Sequence, residues 1–432
     1  MKKLKTNLFS LPVAAFFGCL LFATGGCVKE DASKAESVKN SAAATSAVSP
    51  EIDAAQKSIE KTPNAASGYN QLALAYIRRA RETGDFSLNT NAQTAVNRAL
   101  EIEPQNYNTQ KLKASLLLTF HQFDEALSFG TELQKKNPQD AFFYGVLTDA
   151  NVELGNYKEA VGAVQKMVDL RPNLESYTRV SYVRSLHGDA EGAIEAMALA
   201  AEIADPQDRE SKAWCLVHLG DEYFKVGRFA EAEKQYDSAL AVLPDYHFAL
   251  DGKGRARAAA GDTENAVKFF TQAQTKVPLV ETVIWLGDVY AKTGNQAKAE
   301  EQYDLAIFIE QKLGNLDQRR LALLWADRDE KLDEALEIAT REHAARKDVF
   351  TADIYAWCLY KKGDFQAAKK AVDEAMRLKT KNALFFYHAG MIEKGLGNDK
   401  AAKDFLQKSL QTNPAFDLLQ VEKAKVALQQ LN

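Results

Sequence analysis

Residues 219–244, LGDEYFKVGRFAEAEKQYDSALAVLP, decide the fold of this 432-residue chain. Two helix-forming runs flank Gly227. We expect the first helix to end there, because glycine readily adopts the positive φ of a helix C-terminus. Ala232 and Ala239 lie seven residues apart on one face of the second run, so a neighbouring helix can approach this face closely. Pro244 cannot continue a helix interior and marks the end of the unit. The stretch predicts a closely packed helix-turn-helix.

The same unit returns along the chain from about residue 53 onward. The prolines that close it are spaced by 34 residues, at Pro104, Pro138 and Pro172 and again at Pro244 and Pro278. Each such unit buries its apolar face against its neighbours, so the copies form one continuous core. We count about ten copies over residues 53–414, which predicts an all-α superhelical solenoid.

The repeated unit resembles the tetratricopeptide repeat, whose pattern is Leu-Gly-x-x-Tyr followed by Gly, Ala, Tyr, Ala and Pro. The matching residues of the first copy are Leu219, Gly220, Tyr223, Gly227, Ala232, Tyr236, Ala239 and Pro244. A second clear copy has Leu286, Gly287, Tyr290, Gly294, Ala299, Tyr303 and Ala306. The resemblance implies a right-handed α-α superhelix of about ten repeats that binds other proteins.

The two ends of the chain differ from the repeats. Residues 417–431 predict one amphipathic helix, and an end repeat needs such a cap over its exposed face. We therefore expect a signal peptide over residues 1–26, a flexible tether over 27–50, the solenoid over 51–414 and a capping helix over 415–432.

The stretch FATGGCVKED, residues 22–31, follows an apolar run that covers residues 8–22. That run is shorter than the roughly 20 residues of a spanning helix, and it follows a basic start made of Lys2, Lys3 and Lys5. Cys27 behind small residues resembles the bacterial lipobox, which implies lipid attachment at Cys27. Thr24 departs from that motif, which has an aliphatic residue at this position. Plain secretion and an uncleaved anchor are the alternatives.

The tether and its flanks give the expected location. Residues 28–50 are rich in Ala, Ser, Lys and Glu and have no aromatic residue, so they cannot bury enough surface to fold. An aspartate directly after the lipobox cysteine would resemble an inner-membrane retention signal. This chain has Val28 at that position, which favours the outer membrane of the cell envelope. The periplasmic face is favoured, and KED at residues 29–31, which resembles a surface-export signal, leaves the cell surface open.

Composition and motifs argue against catalysis and against nucleic acid. The formal net charge is −5, and no basic cluster indicates a nucleic-acid surface. No His-Glu-x-x-His, Gly-rich phosphate loop, Gly-x-Ser-x-Gly or Cys-x-x-Cys motif is present. Cys215 and Cys358 lie about four repeats apart, too far for a disulfide. We predict no catalytic residue, no cofactor, no metal site and no small-molecule substrate.

The first helix of each repeat lines the concave face in this family, so its side chains are the candidates for partner binding. The aromatic candidates are Trp214, Phe224, Phe350, Trp357, Tyr360 and Tyr387, and the acidic ones are Asp149, Asp221, Asp251 and Asp288. The acidic residues favour a partner of basic or mixed charge. Two alternatives stay open, in which neighbouring repeats cover the aromatic residues and the acidic residues form a solvated face.

The sequence as a whole indicates a lipid-anchored scaffold or adaptor of the bacterial envelope that binds one or more proteins and catalyses nothing. One alternative is an assembly factor of a secretion, pilus or exopolysaccharide export machinery, a role that the resemblance to tetratricopeptide lipoproteins also implies. A further alternative is a non-catalytic subunit that supports an enzyme.

Overall fold

The computed structural model describes residues 49–313 and 318–431, and throughout these residues the regular structure is helical. Twenty-two helices are described, with the following bounds: α1 Pro50–Lys61, α2 Ala66–Thr83, α3 Leu88–Ile102, α4 Tyr107–Thr119, α5 Phe123–Lys136, α6 Ala141–Glu153, α7 Tyr157–Leu170, α8 Leu174–Leu186, α9 Ala190–Ile203, α10 Arg209–Lys225, α11 Phe229–Val242, α12 His247–Ala259, α13 Thr263–Lys276, α14 Val280–Lys292, α15 Gln296–Leu313, α16 Arg319–Asp327, α17 Leu332–Ala345, α18 Val349–Lys361, α19 Phe365–Ala375, α20 Ala383–Gly395, α21 Asp399–Thr412 and α22 Gln420–Gln430.

Helices α2 to α21 form ten antiparallel pairs, which confirms the predicted solenoid of about ten repeats. Each even-numbered helix packs on the odd-numbered helix that follows it, and each pair packs on the next pair. Each of the five prolines at the 34-residue spacing lies two residues beyond the end of a second helix. Proline therefore ends the repeats as the sequence predicts.

Small residues allow the helices of one repeat to approach closely. Gly227 has a φ of 74° and lies in the turn between α10 and α11. Gly220 lies against the ring of Tyr236, where an added Cβ would be 2.5 Å from Cε1. Ala232 and Ala239 are completely buried. These contacts explain the Leu-Gly and Ala spacings, since any larger side chain would push the helices apart.

The superhelix closes so tightly that its second turn rests on its first. The Val349 amide donates to the Tyr157 hydroxyl at 2.9 Å, across 192 residues of sequence. The Thr380 hydroxyl donates to the carbonyl of Leu186 across 194 residues, and Asn413 Nδ2 donates to the carbonyl of Phe224 across 189 residues. This nearly constant separation gives a superhelical turn of about 190 residues, or about five and a half repeats.

We call this contact line the inter-turn seam; it joins the helix-helix turns near residues 155, 188 and 227 to the loops near 347, 380 and 413. Val349 and Phe385 of the second turn pack in one apolar cluster with Val152, Val183 and Leu186 of the first. The seam therefore combines buried hydrogen bonds with apolar contact, and it brings together residues that are remote in sequence.

The chain beyond α21 enters the inside of the superhelix before it forms α22. Leu418 packs against Leu286 and Val289 of α14, and Lys292 donates to the carbonyl of Leu418 at 3.5 Å. Helix α22 then packs its Ala424 and Ala427 into the core beside α18 and α20. We call residues 413–419 the C-terminal strap.

None of the helices described here is both long and apolar enough to cross a bilayer. The predicted signal peptide, Cys27 and most of the predicted tether lie outside the described residues.

We expect Gly155→Ala to destabilise the protein by roughly 1–3 kcal/mol more than Gly261→Ala does. Both glycines have φ values near +75°, at 74° and 77°, so alanine is strained at either position. A Cβ at Gly155 would lie 2.5 Å from the carbonyl oxygen of Lys347 across the seam, whereas at Gly261 it would meet nothing within 4 Å. Urea titrations followed by circular dichroism measure the difference, and equal losses would contradict a packed seam.

Candidate functional site

The inside of the superhelix contains a groove between α14, α16 and the C-terminal strap. Its larger part has a volume of about 800 Å³. A smaller part of about 250 Å³ continues across the inter-turn seam and shares three wall residues with the larger one, namely Trp285, Leu384 and Phe416. We call the two parts together the interior groove. Volumes of this size suit a few side chains of a partner segment rather than a folded domain.

Helical spacing brings the groove residues of α14 to one face. Glu281, Ile284, Trp285 and Asp288 follow the i, i+3, i+4, i+7 pattern and line the groove. The opposite face of α14, with Val283 and Leu286, is buried. The same spacing in α16 turns Arg320, Leu323 and Asp327 into the groove. Helices α14 and α16 therefore each contribute one face to the core and one face to the groove.

Basic side chains compensate most of the acidic residues on the rim of the groove. Arg320 pairs with Glu281. Arg328 Nη2 lies 2.7 Å from Glu300 and 2.6 Å from Glu330. Asp329 is paired with Lys361 at 2.6 Å. These ion pairs leave the rim with little free charge.

Three aspartates inside the groove accept hydrogen bonds from neutral donors only. Asp288 accepts from the Tyr303 hydroxyl at 2.7 Å, and Asp327 accepts from Trp357 Nε1 at 2.8 Å. Asp417 accepts from the amides of Leu419 and Gln420 at 2.8 and 2.7 Å. Within the described chain, no Lys, Arg or His nitrogen lies within 4 Å of these three carboxylates.

The surroundings of these three carboxylates favour their neutral forms. Burial raises the pKa of Asp288 well above its usual range, and repulsion from Asp417 and Asp327 adds to the effect. Burial and repulsion from Asp417 raise the pKa of Asp327 to about 7. Burial also raises the pKa of Asp417. The groove thus holds three acidic groups without a direct ion pair, which we call the aspartate trio. Lys423, which also lines the groove, donates to the backbone carbonyl of Asp327 at 3.2 Å and attracts Asp417 at longer range.

The predicted acidic face is mostly neutralised by the chain itself, which corrects that expectation. Asp149 forms a two-point ion pair with Arg179, at 2.9 and 2.5 Å. Arg255 bridges Asp221 and Asp251 at 2.8 and 2.9 Å. Of the acidic residues singled out from sequence, Asp288 alone belongs to the aspartate trio. Arg179 and Arg255 each come from the repeat after the one that holds Asp149 or Asp221, and Arg255 lies one helical turn after Asp251. The pairs between repeats cannot be inferred from the sequence of one repeat alone.

Two of the predicted aromatic residues are core residues, which is a further correction. Trp357 and Tyr387 are each only 1% exposed. The Trp357 ring stacks between Tyr360 and His388, and the Tyr387 hydroxyl donates to Gln420 of α22 at 3.0 Å. Neighbouring repeats and the C-terminal helix cover both rings, so neither can contact a partner.

The other aromatic candidates divide between the groove and the repeat packing. Phe224 and Phe350 line the smaller part of the groove, on opposite sides of the inter-turn seam, although Phe224 is 6% exposed and also belongs to a core cluster. Trp214 lies half-buried against His218, with ring centroids 3.9 Å apart, and is absent from the groove lining. Tyr360 packs on Trp357 and Phe365. Phe224 and Phe350 are therefore the two aromatic candidates that this geometry brings together.

Sequence reasoning missed most of the groove lining, including Trp285, Asp327, Phe416 and Asp417. The register could have indicated Trp285, because it stands directly before the consensus Leu286 as His218 stands before Leu219. Phe416 and Asp417 gave no signal, since they belong to the strap and reach the groove through the tertiary fold.

The cysteines and histidines show no sign of metal or redox chemistry in the described part of the chain. There, no group of three or more His, Cys, Asp or Glu side chains is arranged to hold a metal ion. Cys215 and Cys358 are buried free thiols, and burial raises the pKa of each to about 12. Such thiols are poor nucleophiles at neutral pH.

Comparison with known proteins places repeat models on two parts of the chain. Tetratricopeptide repeat models match residues 218–280 and 383–416. No curated protein matches the chain. The first match covers the second half of α10 and all of α11, α12 and α13, and the second covers α20 and α21, so both models fall on helix pairs of the solenoid.

The following solved structures have a similar course of the chain and are distant in sequence. PilW, a type IV pilus biogenesis factor, is 18% identical with a TM-score of 0.40, and the match covers 45% of this chain and 89% of PilW. The human IFIT1 dimer with PPP-AAAA is 14% identical with a TM-score of 0.47, covering 83% and 86%. The Cut9–Hcn1 structure is 15% identical with a TM-score of 0.34, covering 92% and 94%.

We expect Asp327→Asn to stabilise the protein at pH 8 by about 1 kcal/mol or more. The pKa of Asp327 is raised to about 7, against roughly 3.9 in an unfolded chain, so the folded state loses stability as the pH rises through this interval. Asparagine keeps the acceptor for Trp357 and removes the charge.

The matched control is Asp304→Asn, at an exposed position of α15 outside the groove. Urea midpoints at pH 4 and pH 8 make the test. The gain from Asp327→Asn should nearly vanish at pH 4, and a variant less stable than the parent at pH 8 would contradict the assignment.

Proposed function

The chain is a tetratricopeptide repeat protein, and from this premise we propose that it is a non-catalytic scaffold that binds a segment of a partner protein in the interior groove. The observation that carries the proposal is the groove wall itself. Ile284, Trp285, Leu323, Leu384 and Phe416 present half-buried apolar surface around an open volume of about 800 Å³. Clustered aromatic and aliphatic side chains of this kind are the usual anchors of a protein interface.

The composition of the groove supports binding over catalysis. The larger part is lined by no serine, threonine, cysteine or histidine. The side-chain alcohols, thiols and imidazoles that most acyl-transfer sites use as nucleophile and base are thus missing from the lining of this part. The carboxylates that are present serve as charged contacts, and the fold contributes shape.

We further propose that Cys27 carries the lipid and that the protein works at the envelope membrane, on the periplasmic side of the outer membrane. The support is the short apolar run before Cys27 and the small residues that precede it. A tether of about 23 residues has a root-mean-square reach of about 25 Å. This reach would hold the solenoid off the bilayer and leave its groove free to meet a partner.

We expect a photo-cross-linking amino acid at position 284, in place of Ile284, to capture one defined partner in the producing cells. Ile284 is half-buried on the groove wall, so a cross-linking group at this position would lie within reach of a segment bound in the groove. Mass spectrometry identifies the captured chain. Trp285→Ala in the same protein should abolish the product, because it removes the largest apolar contact of the groove.

The control position is Leu199, which is 42% exposed on α9 and lies outside the groove. A product of equal yield at position 199, or one that survives Trp285→Ala, would place the partner elsewhere on the solenoid and contradict the proposal.

We expect Cys27→Ser to release the protein from the membrane fraction, because the serine hydroxyl does not accept the lipid that a lipobox cysteine receives. Intact mass of the membrane-extracted parent protein should match a chain that begins at Cys27 with two or three acyl chains, which together give stable anchoring. A Cys27→Ser protein that stays in the membrane with an otherwise unchanged mature mass would overturn the lipid assignment.

A further inference from the structure

We propose that the interior groove recognises a lysine or arginine side chain of the partner segment, held between the aspartate trio and the rings of Trp285 and Phe416. This inference rests on the proposed function, since it names the chemistry of the segment bound at the same site. The inference is narrower than the proposed function. A neutral or acidic segment bound in the groove would agree with the proposed function but contradict the inference.

The first observation is that three carboxylates of the groove have no direct ion pair. Asp288, Asp327 and Asp417 line one cavity and accept hydrogen bonds from a hydroxyl, an indole and two backbone amides. Other carboxylates on the inner helices pair directly with an arginine of the chain, as Asp149 does with Arg179 and Asp221 with Arg255. The trio has no such direct partner, and a cation from outside would complete it as those arginines complete the others.

The second observation is the aromatic wall next to the trio. Trp285 and Phe416 both border the larger and the smaller part of the groove. Within the described residues, the cations that lie over aromatic rings contact other rings, such as Arg328 over Tyr303 at 4.1 Å and Arg255 over Phe224 at 5.3 Å. Trp285 and Phe416 therefore offer ring surface to the aliphatic stem and the charged head of a bound lysine or arginine.

Other charged ligands fit this arrangement less well. A phosphate or nucleic acid would add negative charge beside three carboxylates that, when ionised, already repel one another. A metal ion needs a converging ligand set, and no such set of three or more groups is present in the described chain. A side-chain cation needs only proximity to the carboxylates and an apolar wall along its stem, and the groove supplies both.

Binding should depend on pH, because a cation selects the ionised carboxylates. The charged groups that face the trio from the surrounding elements are Arg328, Lys361, His388 and Lys423, together with the trio members themselves and the hydroxyl of Tyr303. Nδ1 of His388 forms a hydrogen bond with Oδ2 of Asp353, at 2.9 Å. Affinity should rise between pH 5.5 and pH 8, as bound cation and proton compete for the same carboxylates.

The test uses the full-length chain and two capped peptides, tetralysine and tetraglutamate, with isothermal titration calorimetry at low salt. We expect tetralysine to bind at pH 8 and to bind about tenfold more weakly at pH 5.5. The triple variant Asp288→Asn, Asp327→Asn, Asp417→Asn should lose about tenfold or more in affinity at pH 8, since asparagine keeps each acceptor and removes its charge. Tetraglutamate should not bind.

The matched control is the triple variant Asp124→Asn, Asp304→Asn, Asp404→Asn, which removes the same charge from exposed positions on second helices. It should bind tetralysine like the parent. Absence of tetralysine binding, equal binding by both triple variants, or equal binding of both peptides would overturn the inference. A segment without lysine or arginine cross-linked at position 284 would also overturn it and leave the proposed function standing, whereas the loss of every specific cross-link would overturn the proposed function itself.

Discussion

The contact between successive superhelical turns is the constraint from which the rest of this structure follows. A backbone amide at the start of α18 is satisfied by the hydroxyl of Tyr157, 192 residues earlier in the chain. Thr380 and Asn413 repeat the arrangement at the next two loops. Since each of these bonds joins backbone to side chain in a buried setting, the two turns are held at one spacing. These contacts close the gap between the first and the second turn of the superhelix.

Closure of this gap sets the chemistry of the inside of the superhelix. Once the second turn rests on the first, the concave side of α14 and α16 faces the C-terminal strap instead of bulk water. Carboxylates there lose solvation without gaining a direct ion pair, and their pKa values rise. The pKa of Asp221, which pairs with Arg255, is lowered, so this carboxylate is held charged. Burial still raises the pKa of Asp149 and of Asp251 beside their arginines. The trio differs from all three in having no arginine in direct contact.

The strap shows how a capping segment can belong to a binding site. Helix α22 covers the last repeat, as an end helix of a solenoid should, with its alanines in the core beside Trp357 and Tyr387. The seven residues before it contribute Phe416 and Asp417 to the groove. Cap and groove are therefore one structural unit, and the residues that close the last repeat also shape the site where a partner would bind.

The sequence by itself determined the repeat. The 34-residue proline spacing, Gly227 and the buried Ala232 and Ala239 each act within one unit and its neighbour, so their meaning does not depend on the rest of the chain. It also indicated Phe224, Phe350 and Asp288 as residues of the inner face. Only the tertiary structure decided that Asp149 and Asp221 are neutralised, that Trp357 and Tyr387 are core, and that Asp327 and Asp417 meet Asp288. These outcomes depend on contacts between residues one repeat or one superhelical turn apart, and a periodic sequence gives the spacing along the chain but not the pitch that brings its turns together.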